Sequence, residues 1–198
     1  MSHASPNGSP ASLDSRLPRP SRWLQRVDLF LFARLGAGHA ARPAVLTVAI
    51  GSSRWSWLPM LAVVLPLALG STLGLTTVIA CLLWAGAVQW GAKRLARHWQ
   101  VQRPFTQGLS PNHLGHSLRP GFPSTHAVVM GFVTAFLTLG PADAMTAAAL
   151  VLLSAVTGWA RVYAGAHFPS DVLAGWTLGA LTGLFAWEWM DWLGLLSD

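Results

Sequence analysis

Long apolar segments broken by short polar intervals dominate the chain. From Trp55 to Ala92 there is no charged residue. This stretch is too long for one bilayer crossing, because about 20 residues span the hydrocarbon core as a helix. The run Gly70–Gly74 contains two glycines and a serine that interrupt the pattern. We therefore predict two membrane helices here, over residues 55–70 and 74–92.

A polar interval and three further apolar segments follow. Residues 93–123 carry four prolines and most of the central basic residues, and we predict a polar loop that faces the active site. The predicted helices beyond it are 124–139, 144–160 and 169–192. On the last helix, glycines recur every four residues, a pattern that lets helices approach closely. They are Gly175, Gly179 and Gly183. The sequence leaves open whether they pack within one chain or between two.

The N-terminal part differs from the rest in composition. Residues 1–21 are rich in Ser, Pro, Ala and Arg, and we predict a disordered basic tail. Residues 22–52 mix bulky apolar residues with Arg26, Asp28 and Arg34, which favours an interfacial amphipathic helix leading into a first crossing. Residues 22–198 then form one domain, an all-α polytopic membrane helix bundle with about five to six crossings.

Composition supports this fold class. Charged residues make up only 10% of the chain and hydrophobic residues 53%, whereas soluble domains are about 25% charged. A chain this poor in charged residues could not easily cover a soluble surface, which favours a membrane protein. The single cysteine, Cys81, excludes an intramolecular disulfide and a cysteine-based zinc site. Nothing in the sequence indicates an oligomeric state.

The net charge of +6 comes from two basic regions, the N-terminal segment and the 93–123 interval. Because the charges are not spread over a soluble face, we do not expect nucleic acid as a partner; an anionic lipid or a phosphate substrate fits better. The positive-inside rule places the N-terminal segment in the cytoplasm. With six crossings, 93–123 would then lie outside against that rule, which suggests that its charges serve an anionic ligand.

Two clusters contain residues that could take part in catalysis or in binding an anion. Pro123 restricts the preceding residue and places Ser124 at the N-terminus of the next helix. Free amides and the helix dipole at that end form an anion site, with His126 at its mouth. In the second cluster, His167 and Asp171 are four residues apart, so they either share one helix face or, if Pro169 keeps His167 outside the helix, meet across a helix start. In both cases the carboxylate can fix the imidazole tautomer.

Each residue also has an ordinary explanation. Ser124 is explained as a helix cap, and His167 with Asp171 as a structural pair. Arg161, which offers a planar fork for phosphate oxygens, is explained as an interfacial anchor. The convergence of these groups near a membrane face favours function, since charged groups there are costly.

These motifs resemble the type 2 phosphatidic acid phosphatase superfamily, which carries K-x6-R-P, P-S-x-H and S-R-x5-H-x3-D. Here the matching segments are Arg103-Pro104, Pro123–His126, and Arg161 with His167 and Asp171. The resemblance covers about residues 55–190 and looks like the bacterial undecaprenyl-diphosphate phosphatase branch. Two positions depart from the pattern: Ala160 replaces the serine before the arginine, and Ala96 stands where the lysine is expected. Either Lys93 or Arg97 would have to replace that lysine.

The resemblance implies a helical membrane core and a metal-free, cofactor-free mechanism. His167 would attack phosphorus and form a phosphohistidine, Asp171 would orient it, and His126 would protonate the leaving oxygen. The non-bridging oxygens would be held by Arg103, Arg161, Ser124 and backbone amides near Thr125. His113 and His116 are interpreted as ordinary loop histidines, with a place at the site entrance or in a weak metal site as the alternatives.

The implied activity is hydrolysis of a lipid phosphate or diphosphate, with undecaprenyl diphosphate as the first candidate. The implied location is a bacterial inner membrane, with the active site facing outward. Phosphatidylglycerophosphate, phosphatidic acid and lipid A are alternative substrates. A phosphotransferase, or a non-catalytic protein that binds or transports phosphorylated lipid, also remains open.

Overall fold

A computed structural model of the protein describes residues 22–196; the predicted tail at 1–21 and the last two residues lie outside the described part. All regular structure within 22–196 is helical. The helices are α1 (Arg22–Leu35), α2 (Pro43–Trp55), α3 (Trp57–Gly70), α4 (Thr72–Trp99), α5 (Thr125–Leu139), α6 (Ala144–Tyr163) and α7 (Pro169–Trp192), with a 3-10 turn at Pro104–Gln107.

The segment 22–52, predicted as an interfacial amphipathic helix leading into a first crossing, forms two helices separated by a turn. Gly38 has a positive φ of 54°, and Pro43 occupies the first turn of α2, so the chain turns between α1 and α2. α1 is fixed by Asp28, whose carboxylate accepts a 3.0 Å bond from the Ser170 amide and a second bond from the Ser170 hydroxyl. The amphipathic helix is thereby attached to the start of α7.

α2 and α3 form a pair that bends by 49°. Pro59 lies in the first turn of α3 and has no N–H to donate to the carbonyl of Trp55, four residues earlier. The helical bonding therefore breaks at Ser56. The start of the predicted helix 55–70 falls on this break.

The predicted loop 93–123 begins too early. α4 continues to Trp99, because residues 93–99 contain no glycine or proline and their Lys, Arg, Leu and Ala residues favour helix. Gln100, in the left-handed region at φ 52°, ends the helix and donates to the Ala96 carbonyl. At the other end, the Ser71 hydroxyl accepts a 2.9 Å bond from the Gly74 amide, so α4 also starts two residues earlier than predicted.

α5 and α7 form the closest helix pair, and the glycine stripe of α7 is the reason. A Cβ on Gly179 would lie 2.1 Å from the Val128 carbonyl oxygen, and one on Gly183 would lie 2.8 Å from the Phe132 oxygen. Only glycine permits this approach of the two backbones. The stripe is therefore used inside the chain, which decides the alternative that the sequence left open.

Two segments are long and apolar enough to cross a membrane, Thr72–Gln107, which contains α4, and Ala144–Tyr163, which is α6. The bent α2–α3 pair adds a third if it acts as one span. The described helices therefore support two or three spans by this measure, and the five to six crossings stay a prediction.

Candidate active site

The start of α7 places the histidine–aspartate pair. Because Pro169 opens this helix and Phe168 precedes it, His167 lies just outside the helix while Asp171 lies in its first turn. The Asp171 carboxylate accepts a 2.8 Å bond from the Phe168 amide. The same oxygen, Oδ2, lies 3.5 Å from His167 Nδ1. The pair therefore meets across the helix start and not along one helix face.

Two guanidinium groups converge on the other nitrogen of His167. Nε2 lies 3.0 Å from Arg103 Nη1 and 3.2 Å from Arg161 Nη2. Because guanidinium groups only donate, Nε2 must act as the acceptor, and the proton is assigned to Nδ1 beside Asp171. The Nε2 lone pair is thus directed toward two permanent positive charges.

Arg103 is held rigidly by backbone carbonyls. Its Nε donates to the Arg119 oxygen at 2.9 Å, Nη1 to the Ala166 oxygen at 2.9 Å and Nη2 to the Pro120 oxygen at 3.2 Å. Gly121 makes room for it, because a Cβ there would lie 2.8 Å from Arg103 Cγ. The loop between α4 and α5 therefore fixes the position of this guanidinium.

Arg161 was predicted to lie in a short loop after residue 160. It lies instead in the last turn of α6, which continues to Tyr163, and its side chain is only 3% exposed. Besides His167, its Nη2 contacts His116 Nε2 at 2.8 Å.

Three buried polar atoms at this site have no hydrogen-bond partner within the described residues. They are Ser124 Oγ, Arg161 Nε and His167 Nδ1. Ser124 is the N-cap residue of α5, but its hydroxyl does not cap the helix. Its amide donates to the Asp171 carbonyl at 3.0 Å, which ties the start of α5 to the start of α7. Buried polar groups without partners are costly, and their concentration here is typical of a site for a polar ligand.

A cavity of about 460 Å³ opens beside the two arginines. Of the residues predicted for the site, it is lined by Lys93, Arg97, Arg103, Thr125, His126 and Arg161. Ser124, His167 and Asp171 are not in its lining; they are each at most 1% exposed. His167 contacts Arg103 and Arg161, and both of these arginines line the cavity. None of the described residues in the lining is acidic.

His116, interpreted from the sequence as an ordinary loop histidine, belongs to this cavity. Asn112 closes the loop around it, accepting from the His116 amide at 3.0 Å and donating to its carbonyl at 2.7 Å. Leu114 packs the same loop against Ala164 and Ala166. His116 is 45 residues from Arg161 along the chain, and no motif spacing relates the two. The sequence therefore held no signal for this contact.

Burial and the neighbouring cations favour the neutral forms of His116 and His167. Burial first, then Arg161 and Arg103, lowers the pKa of His116 to about 4. The same causes in the same order hold the pKa of His167 well below the ordinary histidine value. A neutral His167 keeps its Nε2 lone pair available as a nucleophile.

Among residues 22–196, no three His, Cys, Asp or Glu side chains are grouped so that they could hold a metal ion. The expectation of a metal-free reaction stays a prediction. The side chains described above supply donors for an anion, one nucleophile and one candidate acid, His126.

A family model and two named relatives each match this chain over more than half of its length. Residues 66–195 match the model of the PAP2 superfamily. YbjG of Escherichia coli (strain K12), named provisionally as an undecaprenyl-diphosphatase, is 32% identical over 175 residues, which cover 84% of this chain and 86% of that protein. The undecaprenyl-diphosphatase of Sulfolobus acidocaldarius is 33% identical over 139 residues, covering 63% of this chain and 58% of that one.

The fold also matches a solved membrane enzyme. The crystal structure of a transmembrane PAP2-type phosphatidylglycerolphosphate phosphatase from Bacillus subtilis aligns with a TM-score of 0.65 at 22% identity, covering 87% of this chain and 89% of that one. At this identity the match concerns the fold alone. Together with the family match and the relatives, it shows that the chain belongs to the PAP2 superfamily and is an integral membrane lipid phosphatase.

Proposed function

We propose that the protein removes the terminal phosphate from a lipid diphosphate, undecaprenyl diphosphate in the first place, through a phosphohistidine on His167. The observation that carries this proposal is the placement of His167. Its Nε2 lies 3.0 and 3.2 Å from two guanidinium nitrogens, while its Nδ1 faces Asp171. A phosphate bound by Arg103 and Arg161 is presented to that lone pair.

In the first step, Nε2 forms a bond to phosphorus and the bond to the leaving oxygen breaks. The leaving group takes the electron pair, and His126, which lines the cavity, donates the proton. In the second step, His126 takes a proton from water, the water oxygen bonds to phosphorus, and the bond between phosphorus and His167 Nε2 breaks. Inorganic phosphate leaves, and the electron pair returns to Nε2. Asp171 stabilises the positive charge that develops on His167. Phosphoryl transfer relies mainly on positioning and charge stabilisation, which these groups provide.

The roles of the other predicted residues follow from their placement. Arg103 and Arg161 hold the non-bridging oxygens, the Ser124 hydroxyl adds a donor, and the first-turn amides of α5 near Thr125 add the partial positive charge of a helix N-terminus. The undecaprenyl chain is proposed from the names of the relatives. We further propose an inner-membrane location with this cavity facing outward, as the sequence analysis predicts.

Phosphate release from purified protein in detergent, with a chelator present, tests this function. We expect undecaprenyl diphosphate to be preferred over phosphatidylglycerophosphate and phosphatidic acid, and His167→Ala to abolish release. His98 is an exposed histidine on α4, and His98→Ala serves as the matched control that should retain activity. When wild-type protein is quenched in base before steady state, label from a terminally labelled substrate should be found on the protein as an acid-labile, base-stable adduct, and His167→Ala should carry none.

The alternative outcomes are separable. Release that persists in His167→Ala would overturn the phosphohistidine mechanism. A preference for a glycerophospholipid would retain the mechanism and replace the substrate. No release from any of these lipids would favour a binding or transport role.

A further inference from the structure

The cavity carries more positive charge than one phosphate group requires. Its inner part is formed by Arg103 and Arg161, which contact His167. Three further cations line the same cavity, Lys93, Arg97 and Arg119. All three are exposed. We call these three residues the outer cations.

We propose that the outer cations form a second phosphate subsite, which binds the phosphate that stays on the lipid after cleavage. The proposal rests on the function proposed above and adds the way in which the protein distinguishes a diphosphate from a monophosphate. The inner arginines bind the phosphate that is attacked. The outer cations bind the leaving group.

Charge balance is the first argument. A phosphate monoester carries about −1.5 to −2 charges at pH 7, and a diphosphate ester carries roughly one charge more. Five arginine and lysine side chains line the cavity, and no acidic side chain among the described residues offsets them. Like charges repel, so an anionic ligand bound among these side chains would be stabilised by all of them. A single phosphate would leave most of this charge uncompensated.

The geometry of α4 is the second argument. Lys93 and Arg97 are four residues apart near the end of this helix and share one face. Ala96, which stands where the family pattern has lysine, lies on the same face, and its small side chain is buried. An alanine here cannot contribute a cation, so the charge on this wall comes from the two residues that flank it.

The loop connects the outer cations to the inner site. The carbonyl of Arg119 accepts the 2.9 Å bond from Arg103 Nε, so the backbone that carries the Arg119 side chain also positions an inner guanidinium. His116 lines the cavity and contacts Arg161. The two groups of cations are thus built on shared elements and line one cavity of about 460 Å³.

This arrangement specifies which bond breaks. Nε2 of His167 bonds to the terminal phosphorus, and the bond from that phosphorus to the bridging oxygen breaks. The electron pair stays with the bridging oxygen, which becomes part of the lipid monophosphate. The outer cations stabilise the charge that develops on this leaving group.

The test compares an outer-cation variant with a control on the same helix. The variant is Lys93→Gln with Arg97→Gln. The control is Arg94→Gln with His98→Gln; Arg94 lies over the Trp90 ring at 4.3 Å and, like His98, is not in the cavity lining. The single variants Arg97→Gln and Arg94→Gln each remove one positive charge from α4, so comparing them holds the change in charge constant. For each protein, KM for undecaprenyl diphosphate and the inhibition constant of inorganic phosphate are measured in the same detergent.

We expect the Lys93/Arg97 variant to raise KM for the diphosphate at least tenfold and to leave inhibition by inorganic phosphate, which binds the inner arginines, within about twofold. The controls should change neither constant. If the variant weakened the binding of the diphosphate and of inorganic phosphate equally, the subsite would be overturned. The same holds if Arg94→Gln had as large an effect as Arg97→Gln, because the effect would then come from the overall positive charge of the surface. Wild-type protein that releases no phosphate from the diphosphate would overturn the proposed function as well.

Discussion

At the scale of single residues, the active site is defined by what surrounds one imidazole. His167 is 1% exposed, with two guanidinium nitrogens at Nε2 and a carboxylate oxygen at Nδ1. Burial favours its neutral form, and the arginines reinforce this because a second positive charge beside them is unfavourable. The arginines that we propose to bind phosphate therefore also favour the unprotonated form of the proposed nucleophile.

The pKa of His116 gives a prediction at this scale. Burial and the charge of Arg161 lower it to about 4, so His116 should be neutral at pH 6. Removing the positive charge with Arg161→Met should raise this pKa, since that charge disfavours protonation. Titration of labelled histidine side chains by NMR measures both values.

His116→Gln assigns the signal, because the resonance of His116 must disappear in that variant. A wild-type midpoint at the ordinary histidine value of 6.5 would contradict the buried contact with Arg161.

At the scale of elements, the packing of α5 on α7 joins two parts of the site. α5 carries Ser124 and His126 at its start, and α7 begins just after His167 and carries Asp171. The glycine stripe sets the distance between the helices, and the Ser124 amide bond to the Asp171 carbonyl fixes their ends. A change in the middle of this contact should therefore reach the active site.

We predict that Gly179→Ala destabilises the protein and lowers phosphate release. The added Cβ would lie 2.1 Å from the Val128 carbonyl oxygen, a backbone atom that moves only if the helices separate. Overpacking of this kind typically costs about 1–3 kcal/mol or more. The melting midpoint in detergent and the rate of phosphate release measure the two effects.

Gly86→Ala on α4 is the matched control. No atom lies within 4 Å of its added Cβ, and alanine favours helix over glycine, so its melting midpoint should not fall. If Gly179→Ala had the same melting midpoint as Gly86→Ala, the close approach of α5 and α7 would be refuted.

At the scale of the whole molecule, the chemistry is gathered at one end of the bundle. The loop between α4 and α5, the end of α6 and the start of α7 meet there. The turn between α5 and α6 lies at the other end of α5, because it follows Leu139. A lipid phosphatase with this arrangement acts at one membrane face only.

Cysteine labelling tests which face this is. The only native cysteine, Cys81, is 2% exposed, so wild-type protein should stay unlabelled by a membrane-impermeant maleimide. In intact spheroplasts we predict that Ser117→Cys, in the exposed cavity loop, is labelled and that Met145→Cys, near the α5–α6 turn, is not. Permeabilised cells should label both; the reverse pattern in intact cells would place the cavity on the cytoplasmic side.

The helices were largely predictable because their signals are local. Apolar runs, the Ser71 break and the Pro169 start are each encoded within a few residues, and α5 and α7 begin within one residue of their predicted positions. The errors arose where no local signal exists or where one was overlooked. Charged residues at 93–99 suggested a loop, although charge does not prevent helix. Pro59 is the local signal for the break at Ser56, where the predicted helix 55–70 begins.

The sequence by itself determined the family, the membrane character and the identities of the expected site residues, because fixed spacings and composition are properties of the chain alone. Only the tertiary structure decided that His116 contacts Arg161, that the glycine stripe packs on α5, and that Lys93, Arg97 and Arg119 share a cavity. These contacts join residues distant along the chain. They depend on how helices pack and how a loop folds back, and no spacing within the sequence records those distances.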